Sequence, residues 1–211
     1  MTPTILDRVS AKLLSSKPFP HLHLANALPM AYYDALEAAL PEVDEASYNN
    51  ADAIPTRNQH EKMLWREFWE AHASTDLATS LFNHFRGHVA QVPARAEVEL
   101  WISRERYLPG QQASRPHVHK VGPVAYGFLY FPFRSGELNK GGELQFFTGG
   151  VNLVEERKTV RNAKPVVTVP YEANRAAFFV NTLSSIHAVR PRSRRDLPRR
   201  NILITWYREG A

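Results

Sequence analysis

The sequence predicts a mainly β fold with helices gathered at its N-terminal end, and three observations carry that expectation. Apolar residues at helical spacing occur only in about the first ninety-six residues. From Glu97 onward the chain becomes a series of short aromatic and β-branched runs. Glycine and proline turns separate those runs, and many short strands at such spacing pack as a two-sheet roll or barrel.

Taken in order, Pro29 to Leu40 places Tyr33, Leu36 and Leu40 on one helical face, with Pro29 entering and Pro41 closing. More helix is expected from about Glu61 to Val89, where Leu64 and Phe68, then Leu77, Leu81 and Phe85, recur at four-residue steps. The polar stretch from Tyr48 to Asn58 reads as a connection that could face substrate. Strands are expected at 97–103, 125–131, 143–147, 166–169, 175–180, 186–189 and 201–207. Leu108-Pro-Gly110, Gly141-Gly142 and Gly149-Gly150 are the punctuating turns. The expectation is a single domain over 1–211, with a mostly helical part at 1–96 packing on a β core at 97–211.

Composition excludes several classes of function. Hydrophobic content of 44% with 22% charged residues is that of a folded globular chain, not a disordered one. No apolar run approaches the roughly 20 residues that cross a bilayer, so no membrane role is expected. The absence of cysteine removes disulfides, thiolate nucleophiles and zinc–thiolate sites together. The opening Met1-Thr-Pro-Thr-Ile-Leu-Asp-Arg8 lacks a basic segment followed by an apolar core, and cytoplasmic residence is the expectation. Much of the net charge of +5 sits between Arg190 and Arg200, a run that reads first as a solvated loop and second as a contact for an anionic substrate. Neither zinc-finger spacing nor interleaved aromatics accompanies it, so nucleic acid is not the expected partner. Nothing in the sequence fixes an oligomeric state.

The candidate site starts from His117-Val-His119. Residues i and i+2 of a strand project from the same face, so two imidazoles there and a third from His187 could cap one divalent ion. The H-x-H spacing is weak evidence alone, since His21-Leu-His23 shares it. His84 and His88 stand four apart on a helix, but the glutamate of a metalloprotease motif does not follow the first of them. Arg200, thirteen residues past His187, suggests an organic acid beside the metal, because guanidinium grips carboxylates with a two-pronged fork. On a strand Arg200, Ile202, Ile204 and Trp206 share a face, expected to be the inward one.

These residues together carry a resemblance. The segment from about Trp101 to Arg208 resembles the core of the iron(II)- and 2-oxoglutarate-dependent oxygenases, in particular the prolyl-hydroxylase-like branch. The matching pieces are Tyr107-Leu-Pro-Gly110, the His117 and His119 pair, the aromatic run Leu129-Tyr130-Phe131 and the Gly141-Gly142-Glu143-Leu144 turn. Pro170, Asn174, Arg175 and Phe179, then His187, and finally Arg200 ahead of Trp206-Tyr207 complete it. The resemblance implies a double-stranded β-helix, the jelly-roll shared with cupins. It implies a hydroxylase-type dioxygenase acting on an amino-acid, peptidyl (prolyl-type) or other small-molecule C–H bond, with release of succinate and CO₂. Fe(II) and 2-oxoglutarate are the implied cofactors, with ascorbate as an accessory.

In that family His117, His119 and His187 correspond to the metal ligands, and Arg200 to the arginine that pairs with the far carboxylate of 2-oxoglutarate. Tyr130 matches a tyrosine that donates to the same carboxylate, while Tyr126, Thr205 and Trp206 are lining candidates. One position departs, because His119 stands where the family has aspartate. Halogenating relatives put a small residue there to admit halide, and histidine leaves no such room. A three-histidine dioxygenase that needs no keto acid, or a metal-binding roll without turnover, are the alternatives. The expected partner is a small molecule or peptide, anionic if the arginines at 104, 106, 115 and 190–199 face it.

Overall fold

The computed structural model describes residues 2–89, 91–103, 115–119, 123–131, 141–154, 157–192 and 198–208. Nine strands are described: β1 His21–Leu24, β2 Ala46–Tyr48, β3 Arg95–Ser103, β4 Pro123–Phe131, β5 Leu144–Val154, β6 Arg157–Val169, β7 Arg175–Val180, β8 His187–Val189 and β9 Arg199–Tyr207. Three α-helices are described: α1 Met30–Ala38, α2 Gln59–His72 and α3 Thr75–His84. All strand pairing is antiparallel, in a six-stranded sheet ordered β1-β7-β4-β9-β3-β2 and a three-stranded sheet ordered β6-β5-β8. No helix among the described residues is long and apolar enough to cross a membrane.

The helical stretch expected between Glu61 and Val89 divides in two. Ala73 ends α2 and Ser74 caps α3, the serine hydroxyl accepting from the Leu77 amide at 3.2 Å. Asn58 caps α2 in the same way through Glu61 N–H. The mostly helical N-terminal part also carries strands, and it lends both outer ones, β1 and β2, to the large sheet. Asn174 holds that arrangement in place. With φ at 53° it turns the chain into β7. Its buried amide accepts from Leu28 N–H and donates to Leu28 C=O, each at 2.8 Å.

Around β7, β4 and β9 the large sheet is covered on both faces, and the two faces differ. One face packs on the helices through Ile202, Ile204 and Trp206 of β9, Leu129 and Phe131 of β4, and Phe178 of β7, against Trp65, Phe68, Leu81 and Phe82. Gly127 belongs to this face. A Cβ there would lie 2.3 Å from the Phe178 ring and 2.9 Å from Trp206, so only glycine lets those aromatics close over β4. The other face lines the interior of the roll, where Tyr126, Phe128, Tyr130, Ala177 and Phe179 meet Leu144, Phe146 and Val189 of the small sheet. Leu144 and Phe146 thus face the interior of the roll.

Candidate metal centre

His117 and His187 are brought side by side by backbone pairing. Each donates its N–H to the other's carbonyl at 3.0 Å, and directly opposed residues of an antiparallel pair share a face. His187 also lies opposite Phe146 of β5, which fixes that face as the interior. His119, two residues on from His117, returns to it. The three ring-nitrogen donors lie within 4.8 Å of one another.

The tautomers suit an ion. Nδ1–H of His117 donates to Arg115 C=O and Nδ1–H of His187 to Ser185 C=O, each at 2.8 Å. A carbonyl only accepts, so each Nε2 carries a lone pair. Nε2 of His119 lies 3.0 Å from Nε2 of His187. Two nitrogens bound to one ion at roughly 2.1 Å stand about 3.0 Å apart at a right angle and about 3.4 Å at a tetrahedral one. The His119–His187 spacing is that of two neighbouring ligands at a right angle, and the third donor, on His117, stands within 4.8 Å of both. Burial lowers the affinity of both His117 and His187 for protons, and for His187 the neighbouring His117 and His119 lower it further. Both are therefore neutral and able to ligate near pH 7. The donor set fits a borderline divalent ion such as Fe(II).

Packing orients the rings. The His119 ring lies 4.3 Å from Tyr126, and the His187 ring 4.7 Å from Phe179. The Tyr126 hydroxyl, desolvated by burial, is pushed up to about 12 and stays protonated. Ser185 is itself tied down, its hydroxyl donating to Thr182 C=O at 2.6 Å and accepting from Thr182 N–H at 2.9 Å. The turn from Asn181 to Ser185 thus sets the carbonyl that orients His187.

The remaining sequence-derived candidates separate by face. Tyr126, Tyr130 and Thr205 lie on the interior face, with Thr205 opposite Tyr126. Arg200 and Trp206 do not join them. Arg200 pairs with Phe131 and Ile102 of the helix-facing side, and Trp206 packs against Phe82 and Phe178. The reading that placed Arg200, Ile202, Ile204 and Trp206 inward has the shared face right and the side wrong. The arginine on the interior face is Arg199, 1% exposed, with its guanidinium 4.8 Å from the Tyr130 ring and 5.0 Å from Tyr171.

The basic run is not wholly a solvated loop either, since Arg192 is buried along with Arg199, while Arg190 is exposed beside Glu143. Gly141, at φ 103°, lets the chain at Pro191 and Arg192 pass so close that a Cβ would fall 2.0 Å from the Pro191 carbonyl oxygen. His21 is buried and His23 exposed, and neither reaches the triad; nor do His84 and His88. Tyr107-Leu-Pro-Gly110, Arg104, Arg106, Arg194 and Arg195 lie outside the described residues. Sequence reasoning missed Asn201, Tyr171 and the interior role of Arg199. The clue available was that Arg199 and Asn201 alternate with the apolar residues of β9.

No family model matches the sequence, and no curated protein matches it. Solved structures do. A prolyl-4-hydroxylase from Pseudomonas putida superposes with a TM-score of 0.54 at 14% identity, over 90% of this chain and 93% of that one. A prolyl 4-hydroxylase from Phytophthora capsici gives a TM-score of 0.58 at 16% identity, over 98% of this chain and 65% of that one. This chain shares the fold of these structures. It is a double-stranded β-helix, and in a double-stranded β-helix of this kind the triad sits inside the roll, between the two sheets.

Proposed function

We propose that the chain is an Fe(II)- and 2-oxoglutarate-dependent oxygenase that hydroxylates a C–H bond of an amino-acid, prolyl-type peptide or small-molecule substrate, releasing succinate and CO₂. The observation that carries this reading is the convergence of His117, His119 and His187 on the inner face of a prolyl-hydroxylase fold, with the His119 and His187 nitrogens 3.0 Å apart, as adjacent ligands would be. When bound, iron supplies the oxygen activation that couples decarboxylation of the keto acid to hydroxylation. The chain supplies the ligands, a dry aromatic surround from Tyr126, Phe146 and Phe179, and a cation for the acid.

In this reading Arg199 takes the second carboxylate, in place of the Arg200 that sequence similarity suggested. It lies on the same inner face as the triad, beside Tyr130. Tyr126 and Thr205 occupy the row of paired positions nearest the metal ligands. Succinate release from 2-oxoglutarate in the presence of Fe(II) and oxygen tests the proposal. Release by the parent protein and none by His187→Ala is the expected pattern, and no release from the parent defeats it.

His119 favours one second reading. A third neutral imidazole in place of a carboxylate leaves the ion with its full charge, as in three-histidine dioxygenases that bind substrate directly and need no keto acid. Substrate-dependent oxygen uptake in the absence of 2-oxoglutarate is the result that selects it.

A further inference from the structure

Asn201 lies on β9 one step inward from Arg199, on the same face, and directly opposite Tyr130 of β4. It is 1% exposed. Arg199 Nη1–H donates to its Oδ1 at 3.0 Å. A guanidinium has only donors, so the oxygen of the amide must face it and the nitrogen must face away. That nitrogen, Nδ2, is buried and meets no hydrogen-bond acceptor among the described residues. Burying an amide donor without an acceptor is unfavourable, and native structures rarely do it without a ligand, water or ion to receive the bond. An asparagine serving only to orient Arg199 would not need its second half desolvated.

The position matches the reach of a diacid. The row of paired positions holding Tyr126 and Thr205 lies next to the triad, and the row holding Tyr130 and Asn201 lies four residues along β4, roughly 13 Å of strand. A five-carbon keto diacid chelated at one end spans about 10 Å from ion to donor atom, counting its carbon chain, a metal–oxygen bond and a hydrogen bond. Side chains leaning inward cover the difference. We infer that Asn201 binds the second carboxylate of the keto acid, donating from Nδ2 to one oxygen while its Oδ1 aims the Arg199 guanidinium at the same group. The inference rests on the oxygenase reading. Because a neutral amide orients Arg199 without cancelling its charge, the pair presents donors and a cation together, a combination that selects a dicarboxylate over a monocarboxylate.

The test is a pair of titrations on the Mn(II)-loaded full chain. One uses 2-oxoglutarate. The other uses 2-oxopentanoate, which keeps the keto-acid end and carbon count but ends in a methyl group. Parent, Asn201→Leu and Asn201→Asp proteins are compared, with thermal melts as a check on folding. Asn201→Asp has the shape of asparagine and keeps the acceptor for Arg199, but replaces the donor with a negative charge.

Both variants are expected to weaken 2-oxoglutarate about tenfold or more and to leave 2-oxopentanoate within about twofold, since a bond to a charged group is lost only in the first case. Equal weakening of the two acids shows a merely structural effect and overturns the inference. Unchanged 2-oxoglutarate affinity in either folded variant overturns it as well, while leaving the oxygenase reading intact. A parent protein that binds neither acid removes that reading, and the role of Asn201 with it.

Discussion

Acid should loosen the attachment of the N-terminal segment to α2, through a single histidine remote from the candidate metal ligands. His72 ends α2 completely buried, stacked on Phe68 at 3.9 Å. Its Nδ1–H donates to Phe68 C=O at 2.7 Å, and its Nε2 accepts from Ile5 N–H at 3.1 Å. Both nitrogens are satisfied only in the neutral ring. Desolvation is the main cause that pushes its pKa down to about 4, opposed by the Phe68 carbonyl and by Asp7.

A group whose folded pKa is depressed makes its full contribution above its unfolded value, here 6.5, and loses it as pH falls toward about 4. Complete protonation corresponds to about 3 kcal/mol, of which about 2 kcal/mol is lost by pH 5. Urea unfolding of the parent and of His72→Gln, both with chelator present, isolates this contribution because the other buried histidines are common to both. The stability advantage of the parent at pH 7.5 should shrink by roughly 2 kcal/mol at pH 5. Stability curves that run parallel from pH 7.5 to 5 would refute the assignment.

Mn(II) at a hundred times its dissociation constant should stabilise the parent against urea by about 2.7 kcal/mol and leave His187→Ala unchanged. His119→Asp should still take up metal and sustain or raise 2-oxoglutarate turnover, as read by succinate release; loss of metal from this variant would mark His119 as specialised. Arg199→Met should weaken 2-oxoglutarate by about a hundredfold, while Arg200→Met changes it less than about twofold, because only the first removes a charged partner from the interior face. Asn174→Ala should cost about 2–4 kcal/mol in urea unfolding, since it strands both backbone groups of Leu28 and places alanine at positive φ.

The elements with two-residue or four-residue apolar periods were legible in the sequence. β7 falls at the expected 175–180, and β3, β4, β8 and β9 lie within a few residues of their expected ends. What escaped had no such period. The hairpin of β5 and β6 extends well past Phe147 on backbone pairing, while exposed Arg161, Asn162 and Lys164 carry no apolar signal. β1 is His21-Leu22-His23-Leu24, four residues whose strand character depends on pairing with β7 more than 150 positions away. The triad was readable because chemistry restricts which residue types can hold an ion. Which arginine faces the interior was not, because Arg199 and Arg200 are neighbours and a strand turns one to each side.

That ambiguity has a physical origin in β9 itself. In a strand with one wet face, alternation names the buried side, and the apolar residues point to it. β9 is central and has no wet face. Its apolar set, Ile202, Ile204 and Trp206, is spent on the helices. Its mixed set, Arg199, Asn201, Leu203 and Thr205, turns into the roll. The rule that apolar means inward therefore finds the structural core and misses the site. A cavity that holds an ion and a diacid must be lined by the residues that such a rule discards. In a sheet covered by helices on one side, the polar phase of the central strand is the better guide to chemistry. For β9 that phase starts at Arg199, which makes the contrast between Arg199→Met and Arg200→Met a test of the strand's facing as much as of its ligand.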